Sequence, residues 1–391
     1  MINGRSEYVL LDEQQVVFNA IRGILRGGYH HKQKTVVLVK GGPGTGKTII
    51  ALNLMAALSK EGYNVRHATG SRAFTGNLKK ILGFRAGEQF SFFNNYVSTE
   101  YNCVDVLLCD EAHRLRPNSN HRFQKIKSDK RQVDELVFSS KVAVFLIDDL
   151  QVVRPGEVGD CELIRNAAER AGAVLKEFEL DGQFRCAGSE DFIRWVDSTL
   201  GITNEELIWT PDGQFDFQVF DSPQEMSTAI RAKANGQCSA RLVAGFCWPW
   251  SDPDSSGQLV EDVKLDGFSM PWNAKPDAGR LAAGIPKSNF WASDPNGINQ
   301  VGCIYTAQGF EFDYVGVIFG QDLVYANGWK GNRKISQDSV VKKAPEAEFI
   351  NLVKQTYRVL LTRGMKGCYV YFVDKNSEES FRSRMQRLSA T

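Results

Sequence analysis

No strong charge of either sign, no Cys-x-x-Cys pair and no long apolar run marks this 391-residue chain, and each absence removes a class of function. The formal net charge is +1. No overall field therefore draws the chain to nucleic acid or to a membrane, and any such binding must come from local patches. No stretch approaches the roughly 18 uninterrupted apolar residues of a membrane span. The first residues, Met1-Ile2-Asn3-Gly4-Arg5, lack the apolar core of a signal peptide. The eight cysteines are scattered, at 103, 109, 161, 186, 238, 247, 303 and 368, several of them inside apolar runs. That pattern is expected of buried free thiols in a reducing cytosol, and a cytoplasmic location follows as the expectation. No repeat of short period is visible. Hydrophobic residues make up 42% of the chain, ample for folded domains. At this length two domains are the natural expectation.

What is present is concentrated in Gly41-Gly42-Pro43-Gly44-Thr45-Gly46-Lys47-Thr48. The β-branched run 35–40 before it reads as a buried strand, and residues 49–58 after it read as a helix. A Gly-rich turn between a strand and a helix N-terminus is the context of a phosphate-cradling loop. Its glycines let successive backbone N–H groups point at phosphate oxygens, and the helix end adds partial positive charge. Gly42, Pro43, Gly44, Thr45, Gly46, Lys47, Thr48 and Ile49 are thus the expected nucleotide-binding stretch, with Lys47 as a catalytic cation and the Thr48 hydroxyl as a Mg²⁺ ligand. ATP and Mg²⁺ are the expected cofactors.

Upstream, Asp12 is placed to cap a helix with Val16, Val17, Ala20, Ile21 and Leu25 on its inner side, and Gln15 is placed to read adenine through its amide. Downstream, residues 64–69 read as a second strand. Five Lys/Arg and no acid fall between Arg66 and Arg85. Residues 104–109 are a third buried strand ending in Asp110-Glu111-Ala112-His113. A strand that delivers Asp-Glu at its C-terminal end is the second half of such a site, the Asp for Mg²⁺ and the Glu to orient and deprotonate water. A polar stretch follows with Arg114, Arg116, Arg122, Lys125, Lys127, Lys130 and Arg131 against Asp129 alone, the chain's best candidate for a phosphate-backbone contact. Residues 141–147 form a fourth strand, with Gln151 just past its end as a γ-phosphate sensor. Residues 173–180 close a first α/β domain, 1–180, and 181–186, containing Phe184 and Arg185, read as a hinge into a second, 181–391.

The second domain gives fewer signals. Residues 240–246, 301–305, 314–319 and 368–373 read as strands, and 349–361 and 377–388 as helices. Residues 248–300, rich in Trp, Pro, Asp and Gly, read as a loop-rich insert. Between 251 and 300 seven acids face four bases, which favours packed tryptophans over a grip on phosphates.

In order, Gln15, the phosphate loop, Thr69-Gly70, Asp110-Glu111, residues 148–151, 183–185, 308–311 and 357–363 resemble the motif series of a superfamily-1 helicase. The whole chain also resembles an uncharacterised bacterial helicase-like family related to the helicase-like region of Schlafen proteins. The resemblance implies an α/β fold of two RecA-like P-loop domains with parallel sheets and a small insert in the second. It implies Arg185 and Arg363 as arginines for the γ-phosphate, Phe184 stacking on adenine, and Gly309 with Glu311 coupling the nucleotide to a nucleic-acid groove. Thr69 and Arg72 join Arg122, Lys125, Lys127, Lys130 and Arg131 as residues for single-stranded DNA or RNA. Members often carry an upstream nuclease-like domain. Ile147 departs from the pattern, standing where Gly is common before Asp148. The expected function is an ATP-hydrolysing, nucleic-acid-stimulated motor; the alternative is a nucleotide-gated nucleic-acid-binding module without productive unwinding.

Overall fold

The computed structural model describes residues 10, 12–28, 33–71, 75, 76, 78, 79, 83, 87–120, 127–180, 186–211, 213–234 and 238–386. Their contacts divide them into two compact units. The first runs through Val152 and resumes at Gly156; the second holds Val153–Pro155 and the described residues from Cys186 onward.

The first unit is built on six parallel strands, β1 (Thr35–Gly41), β2 (Val65–Thr69), β3 (Phe90–Phe92), β4 (Val104–Asp110), β5 (Ser140–Ile147) and β6 (Val174–Leu180), ordered β3-β2-β4-β5-β1-β6. Strands of this kind are apolar on both faces because helices cover both. Alternate residues of β1 show it. Val36 and Leu38 face a core shared with helices α3 (Gln132–Ser139) and α4 (Cys161–Arg170), through Val133, Leu136 and Ile164. Val37 and Val39 face the opposite core, with Val17 and Ile21 of helix α1 (Asp12–Gly28) and Ile50 and Leu54 of α2 (Lys47–Lys60). The parallel register sets the C-terminal ends of neighbouring strands side by side, Lys40 opposite Ile147 and Thr69 opposite Asp110.

The second unit has a five-stranded parallel sheet of β7 (Asp216–Phe220), β8 (Ala240–Ala244), β11 (Val301–Gly302), β12 (Phe312–Phe319) and β15 (Gly364–Phe372), ordered β11-β8-β12-β15-β7. Two antiparallel hairpins stand apart from it, β9 (Val263–Leu265) with β10 (Phe268–Met270), and β13 (Leu323–Tyr325) with β14 (Trp329–Gly331). Helices α5 (Glu190–Thr199), α6 (Pro223–Lys233), α7 (Ile304–Ala307), α8 (Glu346–Leu361) and α9 (Lys375–Arg382) complete it. The chain is thus an α/β protein with two parallel sheets and a loop-rich insert in the second unit, as its sequence indicated.

Some local expectations fail for identifiable reasons. Val16 is 60% exposed, because the buried face of α1 carries Val17, Phe18, Ile21 and Leu25 instead. The run 301–305 gives only two strand residues before turning into α7; the Asn273 side-chain oxygen accepts the Cys303 N–H at 3.3 Å, where a longer strand would need a ladder partner. In the loop-rich insert the tryptophans pack. Trp272 and Trp291 are buried, Trp248 donates its indole N–H to the Lys264 carbonyl, and Trp250 to that of Asn273. Among the described residues all cysteines are free, and no helix is long and apolar enough to cross a membrane.

Candidate nucleotide site

The phosphate loop leaves β1 at Gly41 and enters α2 at Lys47. Gly44 and Gly46 take φ values of 82° and 77°, the left-handed region where a side chain costs energy. Gly46 is also the residue before the helix, and its carbonyl accepts the Ile50 N–H at 3.0 Å. A Cβ on Gly46 would overlap the Gln14 amide. That amide donates to the Thr45 carbonyl at 3.0 Å, and the Thr45 hydroxyl donates to the Gly42 carbonyl at 3.1 Å. The loop is thereby tied to α1 and to itself. Lys47 folds back so that its ammonium donates to the carbonyls of Gly41 and Gly42, at 2.7 Å each.

The C-terminal end of β4 supplies the acids. Asp110 is 1% exposed, and its Oδ2 accepts the Thr48 hydroxyl at 2.8 Å. Two oxygen donors this close suit a hard divalent cation such as Mg²⁺, which takes few protein oxygens and keeps waters. His67 of β2 is fully buried, with Nε2 3.5 Å from Asp110 Oδ2. Asp110 Oδ1 accepts the backbone N–H of Glu111 at 2.9 Å. Glu111 itself has φ 55° and ψ 46°, and His113 Nε2 lies 3.0 Å from its Oε2. At the end of β5, Asp148 caps the short turn Asp149–Gln151 by accepting the Leu150 N–H at 3.1 Å, and its other oxygen accepts the Gln151 amide at 2.8 Å. Gln151 is buried there, beside the strand that feeds the phosphate loop. Burial and the adjoining Asp149 push the Cys161 thiol up to about 12, so Cys161 stays protonated and inert.

In the second unit, the structure brings two of the expected positions together. Gly309, with φ 95°, forms the turn between α7 and β12, and Glu311 is exposed on it. Arg363, only 1% exposed, donates through Nη1 to the Phe310 carbonyl of that turn at 3.1 Å, while its own carbonyl accepts the Phe312 N–H at 3.2 Å.

Two expectations are corrected. Gln15 does not face the phosphate loop; its amide donates to Asn19 one turn along the helix surface, and its neighbour Gln14 makes the contact. The helix register was available as a signal, since Gln14 precedes the buried Val17 and Phe18 by three and four residues. Thr69 is fully buried at the end of β2, its hydroxyl accepting the Ser71 N–H at 3.2 Å, so that side chain is not offered to a nucleic acid. Lys127, Lys130 and Arg131 are exposed, as a phosphate-contacting surface requires. Arg72, Arg122, Lys125, Phe184 and Arg185 lie outside the described residues. His67 and Gly159 carry no signal in the sequence, and their place is set by contacts between distant segments, whereas His113 stands in the Asp110–His113 stretch with no role that the sequence assigns to it.

This chain belongs to the Schlafen group 3, DNA/RNA helicase domain family, whose model matches residues 34–374. An uncharacterised protein of Saccharomyces cerevisiae is 25% identical over 97% of this chain and 91% of its own length. An ATPase family AAA domain-containing protein of Arabidopsis thaliana is 30% identical over 45% of this chain, but that match spans only 14% of the Arabidopsis protein. Among solved structures, the Pif1 helicase from Candida albicans aligns with 96% of this chain and 99% of its own, at 12% identity and a TM-score of 0.41.

Proposed function

We propose that the chain is a nucleic-acid-stimulated ATPase of the helicase type, with the β1–α2 loop as its nucleotide site. The observation that carries this reading is the 2.8 Å approach of the Thr48 hydroxyl to Asp110, next to Glu111, at the mouth of a Gly-rich strand-to-helix turn. A turn that merely joined two elements would need no paired acid at the end of a neighbouring strand.

In this reading the residues divide the work. The backbone N–H groups of the loop and the N-terminus of α2 take the β- and γ-phosphates. Lys47 exchanges the Gly41 and Gly42 carbonyls for phosphate oxygens. Thr48 and Asp110 would hold Mg²⁺, which supplies charge neutralisation on the phosphates. Glu111 orients the attacking water and takes its proton. Gln151, next to Asp148, reports whether the γ-phosphate is in place. Arg363 supplies the bidentate guanidinium that transferred phosphoryl charge calls for. The exposed Lys127, Lys130 and Arg131 contact the backbone of single-stranded DNA or RNA.

The test is steady-state phosphate release from ATP with and without single-stranded DNA and RNA. Turnover that rises when either polymer is added supports the motor reading. ATP binding without turnover under any of these conditions would replace it with a nucleotide-gated binding module.

A further inference from the structure

Glu111 is a glutamate in a conformation that glutamate disfavours. A left-handed backbone strains a residue with a Cβ, and it persists only where the surroundings impose it. At Glu111 they do so from three sides. Asp110 accepts its N–H at 2.9 Å. Its carbonyl accepts the Arg114 N–H at 3.0 Å, closing the turn Ala112–Arg114. That turn carries His113, 1% exposed, to 3.0 Å from Glu111 Oε2. The contact is a close approach of the ring nitrogen to a buried carboxylate oxygen.

The turn is itself braced. The Val158 N–H donates to the Leu115 carbonyl at 2.7 Å, and the chain then runs so close that a Cβ on Gly159 would overlap the Ala112 carbonyl and the His113 Cα. Gly159 has no positive φ to explain it. What requires glycine there is the approach of one backbone to another.

We infer that His113 is a positioning residue for Glu111, and that Gly159 lets the segment after Gln151 clamp the turn bearing both. The imidazole packs against one carboxylate oxygen and limits where the side chain of Glu111 can point. This rests on the reading of Glu111 as the general base, and the experiment separates the two. Turnover, KM for ATP, affinity for a fluorescent ATP analogue and melting temperature are measured for the parent, Glu111→Gln, His113→Ala, His113→Gln and Gly159→Ala. Misplacing a reacting group by about 1 Å costs up to about 100-fold in rate. His113→Ala should therefore lower kcat about 10- to 100-fold with KM and analogue affinity near parental. His113→Gln, whose amide reaches the place of Nε2, should recover most of the loss. Gly159→Ala, by pushing the turn, should lower kcat in the same manner. A parental kcat in His113→Ala, or a loss confined to melting temperature, overturns the inference. So does a His113→Gln variant no better than His113→Ala. If Glu111→Gln itself turns over at the parental rate, the base assignment fails and takes this inference with it. If Glu111→Gln is inactive while His113→Ala is not, only the inference fails.

Discussion

The two units end their parallel sheets in opposite ways. In the first, the strand ends open onto a glycine turn, a lysine that rests on carbonyls, and the Asp110 carboxylate with one oxygen turned to the Thr48 hydroxyl. In the second, the ends of β8 and β12 are closed by side chains. The Tyr357 hydroxyl accepts the Gly320 N–H at 2.9 Å and donates to Asp322, and its ring stacks on Phe319 at 3.7 Å. A Cβ at Gly245 would overlap that hydroxyl, and one at Gly320 would overlap the Cys247 sulfur. Burial pushes the Asp322 carboxyl up and the Cys247 thiol up. The same strand order that ends on a glycine turn in one sheet ends on a sealed polar core in the other. The strand ends of a parallel sheet offer a place for a ligand, and the residues on the loops decide whether it stays open.

Substitutions in each unit put that contrast at risk, and the largest effect is expected at Lys47. Lys47→Ala removes the cation over the loop and should abolish detectable turnover and weaken nucleotide binding. Melting temperature should change little, because the Gly41 and Gly42 carbonyls that Lys47 holds belong to the same loop. Fluorescent nucleotide titration and a thermal melt on one sample check both halves. Arg363→Lys asks whether the second unit takes part in chemistry at all. Lysine cannot span two phosphoryl oxygens, and turnover should fall on the order of 10³ with nucleotide affinity largely kept. If the bond to the Phe310 carbonyl is its whole role, the melting temperature falls and turnover stays.

Tyr357→Phe is the counterpart in the sealed sheet. It strands the Gly320 N–H in the core and takes one donor from the Asp322 carboxyl, which should cost about 1–3 kcal/mol in denaturant unfolding and leave nucleotide affinity unchanged. A variant that lost nucleotide binding instead would mean the second sheet end is not merely structural. The smallest effect is expected at the surface. Replacing Lys127, Lys130 and Arg131 by Ser should flatten the log–log salt dependence of single-strand binding by up to about 0.7 for each phosphate that is no longer neutralised. An unchanged slope would make them solvated charges only.

The legible parts of the sequence are those whose physics is local. Strands buried on both faces read as continuous apolar runs, so β1, β4 and β5 are visible, and the phosphate loop carries its own backbone requirement in its glycines. The edge strand β7 is not visible, since Asp-Phe-Gln-Val-Phe is short and only partly buried. Helix α5 carries a fainter signal, with Phe192, Trp195 and Val196 at helical spacing within only ten residues. Motif order points to Gln15 rather than Gln14 because it fixes a neighbourhood, whereas the face of a helix is fixed by register. The roles of His113 and Gly159 are beyond reach for a different reason. One matters through a carboxylate two residues away in a left-handed turn, the other through a backbone 47 residues upstream that it nearly touches.

The most direct test of the proposed chemistry is Glu111→Gln, followed by phosphate release and by retention of radiolabelled ATP on the purified protein. Amide for carboxylate keeps the size of the side chain and removes the base. A loss of about 10² to 10⁴ in turnover with ATP still bound is expected. Phosphate release at the parental rate would contradict it.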